Sequence, residues 1–175
     1  MDLQHELSQR PDKEKVLEIA ARIGNDQEQF SQLIDIVLHG EEPVSQYGSW
    51  LMNHCMEQHP QLVQPHLAAL MENLSRPKLS EWIVRSTVKA MAEAGEFPEE
   101  LQGHALQHCF DYLLDPKTAV AIQVHAMQTA FNISKNEPDL LNELKMVIEE
   151  RLPYGTAAYK SRGKRIVKAI NKLLS

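Results

Sequence analysis

Apolar residues recur at helical spacing through most of the chain. In 117–135, Ile122, Ala126, Met127, Ala130 and Ile133 stand at i, i+4, i+5, i+8 and i+11, one stripe of a helix. Residues 80–94 repeat the theme with Ile83, Val84, Val88, Met91 and Ala92, and 139–152 with Leu141, Leu144, Val147 and Ile148. Prolines cut the chain between these stretches. Pro43, Pro77, Pro116 and Pro153 are spaced 34, 39 and 37, and Pro60, Pro98 and Pro138 are spaced 38 and 40. Proline is tolerated in a first helical turn and ends a helix elsewhere. The pattern therefore predicts nine helices, over 13–23, 27–39, 44–58, 61–74, 80–94, 99–114, 117–135, 139–152 and 156–174. Asp12 suits an N-cap and Gly24 a C-cap for the first of these. Pro65 falls inside 61–74, so that helix either starts late or kinks.

The helices fall into pairs with one register. Trp50, Val88, Met127 and Ile166 are spaced 38, 39 and 39, and three residues on come Asn53, Met91, Ala130 and Ala169. The second helices match as well: Pro60-Gln-Leu-Val, Pro98-Glu-Glu-Leu and Pro138-Asp-Leu-Leu each open on proline and turn apolar within three residues. A period near 40 residues with two helices per unit is the signature of HEAT and armadillo solenoids. The expectation is an all-α fold, an α–α superhelix of about nine helices in antiparallel pairs. It forms a single repeat domain over 1–175: capping helices in 1–42, three helix pairs in 43–152 and a basic capping helix in 153–175.

Segment 121–150 (AIQVHAMQTAFNISKNEPDLLNELKMVIEE) resembles a HEAT repeat, with a small and apolar first helix, a proline-marked turn and a Leu-rich second helix. The run from Trp50 to Leu174 is similar to short bacterial HEAT-like proteins of unknown function, on the stretches WLMNHCMEQHPQLVQPHL, PEELQGHALQHCFDYLLDP, AVAIQVHAMQTAFNISKNEPDLLNELKMVIEERLP and YKSRGKRIVKAI. Some of that group carry the label adenylosuccinate lyase. The label implies a long helical-bundle enzyme with a mobile SSxMPxKxNP loop. This chain is too short for it, and GTAAYKSRGKR at 155–165 is only a faint echo of the loop.

Composition agrees with the helical reading. Leu, Ala and Met supply 43 residues against 20 for Val plus Ile, with seven Gly and ten aromatics, which excludes a β-sandwich or barrel. Segment 1–15 is polar, without the apolar stretch of a signal peptide, and no window approaches the roughly 18 apolar residues of a membrane span. A soluble, cytoplasmic protein is expected. Cys55 and Cys109 lie in apolar helical stretches without CxxC spacing and read as reduced core residues. Net charge is −6, unevenly spread: 156–175 hold six Lys and Arg and no acid, leaving −12 on the rest.

The motifs of common chemistries are missing. No HExxH, zinc-finger spacing, phosphate-binding Gly loop or GxSxG is present. His104, His108 and Asp111 share a helix face and could hold a divalent metal, but they read instead as polar residues lining an exposed or half-buried helix face. His54, His59 and His66 fit no standard metal site, His59 and His66 suit capping or hydrogen bonding at helix ends, and His125 suits a half-buried position. Trp50 and Trp82 read as packing anchors between helices. No metal or cofactor is expected.

The resemblance implies a non-enzymatic scaffold whose concave face, lined by the second helix of each pair, takes an unknown protein or peptide partner. The polar positions Gln64, Gln107, Asp111, Asn142, Lys145 and Glu149 are the candidate binding residues on that face. The alternative is nucleic-acid binding through the basic C-terminal helix, with Lys164 and Arg165 as candidates. The acidic body disfavours that alternative. A monomer or weak homo-oligomer is expected, without a membrane partner.

Overall fold

The computed structural model describes all 175 residues and is helical throughout. The ten α-helices are α1 (Leu3–Ser8), α2 (Lys13–Ile23), α3 (Gln27–His39), α4 (Val44–Gln58), α5 (Leu67–Asn73), α6 (Glu81–Glu93), α7 (Glu99–Leu114), α8 (Val120–Ser134), α9 (Pro138–Arg151) and α10 (Ala157–Leu174). Two 3-10 segments, Pro60–His66 and Leu152–Tyr154, complete the chain. Backbone contacts divide it into two compact units, Met1–Gly95 and Glu96–Ser175.

Most helix ends lie where the punctuation of the sequence places them. The Asp12 carboxylate accepts the Lys15 amide at 2.8 Å, and Gly24 closes α2 at φ 52°, where a side chain would be strained. Three boundaries differ. Residues 61–74 do not form one α-helix: Pro65 has no N–H to give the Gln61 carbonyl, so the chain winds as a 3-10 turn until Leu67. Helix α8 starts at Val120 rather than at 117, because the Asp115 carboxylate takes the Lys117 amide at 2.9 Å and its carbonyl takes the Thr118 amide at 3.1 Å, making a turn. Helix α1 adds a tenth. It is anchored by buried Leu3 and Leu7 and by Glu6, which pairs with Lys15 and Arg22. The Arg22 guanidinium holds the Glu6 carboxyl below its usual value.

In the first unit α4 packs against α1, α2, α3 and α6. Leu33, Val37, Leu51 and Met52 fill the space between them. Buried Asn53 of α4 donates to the Ser86 carbonyl of α6 at 2.9 Å, and the Tyr47 and Trp82 rings meet edge-on at 5.8 Å. Trp82 is therefore a packing anchor between these two helices. In the second unit α8 packs against α7, α9 and α10, and α9 against α10. Ala105, Cys109, Met127, Ala130, Leu144, Ile148, Ile166 and Ile170 form its core. Three of the four register positions, Val88, Met127 and Ile166, are fully buried, and Trp50 is half-buried.

The repeat also shows in a bond. Arg76 donates to the Leu38 carbonyl at 3.0 Å, and Arg151 donates to the Leu113 carbonyl at 2.8 Å, each across 38 residues. Both close the last turn of an earlier helix, α3 and α7, whose final carbonyls have no partner within the helix. Buried Gln123 completes the α7 end by donating to the Tyr112 and Asp115 carbonyls, both at 3.3 Å.

Candidate functional site

The second helices of the C-terminal unit, α7 and α9, touch one another and each presents a solvent-facing stripe. On α7, Gln107, Asp111 and Leu114 stand at i, i+4 and i+7 and are exposed, Leu114 to 61%. Gln107 donates to the Asp111 carboxylate at 2.9 Å. On α9, Asn142, Lys145, Met146 and Glu149 stand at i, i+3, i+4 and i+7, with Met146 exposed to 71% and Lys145 half-buried. Each stripe thus combines hydrogen-bonding groups with one large apolar side chain. The sequence analysis missed Leu114 and Met146. The available signal was their phase: Met146 is turned well away from the buried Leu141, Leu144 and Ile148 of its own helix.

Gln64 belongs to the first unit and is differently placed. It is half-buried on the 3-10 segment and donates to the Ala94 carbonyl at 2.6 Å. Lys164 and Arg165 are exposed on α10, as are Lys168 and Lys172.

His104 is exposed on α7, and His108 stacks on Tyr112 with ring centroids 6.3 Å apart. Burial holds the His108 imidazole below its ordinary value and His104 adds to the effect, while Asp111 opposes it. No three His, Cys, Asp or Glu side chains come together in a metal-ligating group. His54 Nδ1 lies 3.0 Å from a Glu57 carboxylate oxygen, and His59 occupies the C-cap of α4. His66 Nε2 meets Ser31 Oγ at 3.0 Å and Gln27 Nε2 at 3.2 Å. His125 is half-buried on α8. Cys55 and Cys109 are buried free thiols, and burial pushes each up to about 12, so neither is a ready nucleophile.

Paired helices, a recurring register and a bond repeated after 38 residues are the marks of one repeat family. A family profile described as HEAT repeat domain matches residues 3–170. The chain belongs to the HEAT repeat family. No curated protein and no solved structure matches it. HEAT repeats are commonly protein-interaction scaffolds, and the fold is typically non-catalytic. In this HEAT repeat protein no helix is long and apolar enough to cross a membrane.

Proposed function

We propose that the chain is a non-enzymatic scaffold that docks a protein or peptide on the α7–α9 face of its C-terminal unit. The observation that carries this reading is the pair of stripes just described. Leu114 and Met146 are exposed large apolar residues on neighbouring helices, and Gln107, Asp111, Asn142 and Glu149 are exposed polar residues on the same two stripes. Apolar anchors inside a polar rim are the usual anatomy of a protein-binding patch. Flexible Met suits a surface that adapts to its partner.

The test is a cross-linking pull-down from the native lysate with the wild-type chain and the double variant Leu114→Glu, Met146→Glu. Both positions are exposed, so the variant should keep the wild-type melt within about 0.5 kcal/mol. A protein captured by the wild type and lost in the variant supports the face as the docking site. Equal capture by the two, or no specific capture, removes it.

A second reading rests on α10, where Lys164, Arg165, Lys168 and Lys172 are exposed and no acid is present. It would bring nucleic acid to that helix. Against it, Met1–Gly95 holds 14 acids and 8 bases, and Glu96–Ser175 holds 10 of each. A DNA mobility shift at low salt that disappears in Lys164→Glu, Arg165→Glu would favour this reading.

A further inference from the structure

Helix α10 carries six Lys and Arg and no acid. Four of them, Lys164, Arg165, Lys168 and Lys172, are exposed. They stand at i, i+1, i+4 and i+8, on the side of the helix opposite buried Ile166 and Ile170. No acid follows Glu150 in the chain, so none of the four has a partner of opposite sign one turn away on its own helix. None of them is in an ion pair with another part of the chain either. Bases on α2 are used differently: Lys15 and Arg22 both reach Glu6 and Glu18. Like charges along one helix face repel, and an anionic partner or salt relieves that repulsion.

Helix α9 packs against α10 in the same unit and shows the opposite sign. Asp139, Glu143 and Glu150 stand at i, i+4 and i+11 and are exposed, with exposed Met146 between them at i+7. This stripe lies opposite the buried Leu141, Leu144 and Ile148. The two bases of α9 stand off it: Lys145 is half-buried, and Arg151 is turned to the Leu113 carbonyl. None of the three carboxylates is ion-paired. The two helices meet on their buried sides, where Gly163 lies against Ile148, so the stripes do not neutralise each other within one chain.

The stripes match in spacing as well as in sign. Lys164 and Lys168 are four residues apart, as are Asp139 and Glu143, which is about 6 Å along either helix.

We infer that the basic stripe of α10 docks on the acidic stripe of α9 in a second copy of this chain. Each copy carries both stripes on neighbouring helices of one unit. A two-fold axis therefore lets α10 of each copy face α9 of the other, and the assembly closes at a dimer. Met146, in the middle of the acidic stripe, supplies an adaptable apolar contact. Nucleic acid fits α10 less well, because the acidic stripe of α9 stands beside it and Glu96–Ser175 holds as many acids as bases. Exposed ion pairs are worth a factor of about 1.5 to 5 each, so the dimer needs several together and responds to salt. The inference does not rest on the α7–α9 docking reading, and the purified chain alone tests it. Met146 belongs to both surfaces, so a foreign partner and a second copy would exclude one another.

The test is sedimentation velocity of the full chain over a concentration series. A dimer should form at low salt. Its dissociation constant should rise about tenfold or more in about 1 M salt, where charges are screened beyond about 3 Å. The variant Lys164→Glu, Lys168→Glu should be monomeric. So should Glu143→Lys, Glu150→Lys, which leaves the acid in the first turn of α9 in place. All four positions are exposed, so both variants should melt near the wild-type temperature. An equimolar mixture of the two variants should dimerise about as tightly as the wild type, because the reversed stripes match again. A misfolded variant would not be rescued in this way. A monomer at every concentration, association that ignores salt, a variant that still dimerises alone, or a mixture that stays monomeric would overturn the proposal. A monomeric chain that shifts DNA through Lys164 and Lys168 would assign the stripe to nucleic acid and overturn it as well.

Discussion

Met127 lies on α8 with no exposed surface, between the helices that α8 holds together. An aspartate there would be an unpaired charge in an apolar site. Folded domains have only about 5–15 kcal/mol of stability, and a buried unpaired charge costs about 4 kcal/mol or more. Met127→Asp should therefore lose its cooperative thermal transition by circular dichroism. Met127→Leu keeps the volume and should cost less than about 1.5 kcal/mol. Unchanged melting of the aspartate variant would mean that the register of Trp50, Val88, Met127 and Ile166 is misplaced. His66 gives the residue scale a pH signature. Gln27 Nε2 also donates to the Leu62 carbonyl, at 3.1 Å, and with Ser31 Oγ it packs against His66 Nε2. Burial keeps the imidazole below its ordinary value, about 6.5. The unfolded chain then takes up the proton first. The stability that neutral His66 contributes is present above the ordinary value and is lost as pH falls below it. Urea midpoints should drop between pH 7 and pH 5, and His66→Gln should flatten that slope. His108, depressed in the same direction, should account for part of what remains.

At the scale of the helix, two glycines predict opposite outcomes for an added side chain. Gly103 lies in α7 with nothing within 4 Å of an added Cβ. Gly103→Ala should stabilise by about 0.5–1 kcal/mol through helix propensity alone. Gly163 lies in α10, and an added Cβ would stand 3.0 Å from Ile148 Cγ2 and 3.0 Å from Leu152 Cδ2. There the propensity gain meets buried Ile148 on α9 and half-buried Leu152 in the 3-10 turn that follows it. Gly163→Val should cost about 1–3 kcal/mol in urea unfolding, since a packed interface resists added carbon. A stabilised Gly163→Val would mean that α9 and α10 are further apart. The same contrast shows what the sequence could say. Helix limits were legible because Asp12, Gly24, Pro98 and Pro138 act on their own neighbours. Helix α1 was not, because two leucines in six residues make too short a period to read. The 3-10 turn at Pro65 was visible only as a conflict. Gln107, Asp111, Asn142 and Glu149 were placed on exposed helix faces by spacing, whereas Gln64 was drawn inward by a carbonyl 30 residues away. The cavity walled by Val120, Arg151 and Tyr159 was illegible for the same reason: packing alone brings them together.

Across the whole molecule, stability should follow the nearest-neighbour logic of helical repeats, in which each helix pair is held by the pairs beside it. The contacts are local in this sense: α10 packs on α8 and α9, while α1 packs on α3 and α4. Ile170 is fully buried on the last helix, and Leu7 is fully buried on the first. Truncating either to alanine removes about 2–5 kcal/mol of packing at one end of the chain. In a protein with a single central core that loss would lower the protection of every amide together. Here it should not. Ile170→Ala should speed hydrogen exchange in α8, α9 and α10 and leave the slow amides of α2, α3 and α4 near their wild-type rates. Leu7→Ala should do the reverse, opening α1 and its neighbours first. Exchange measured by mass spectrometry on native-state peptides reads both patterns in one experiment. Uniform acceleration along the chain in either variant would mean one cooperative core, contrary to the stacking of helix pairs.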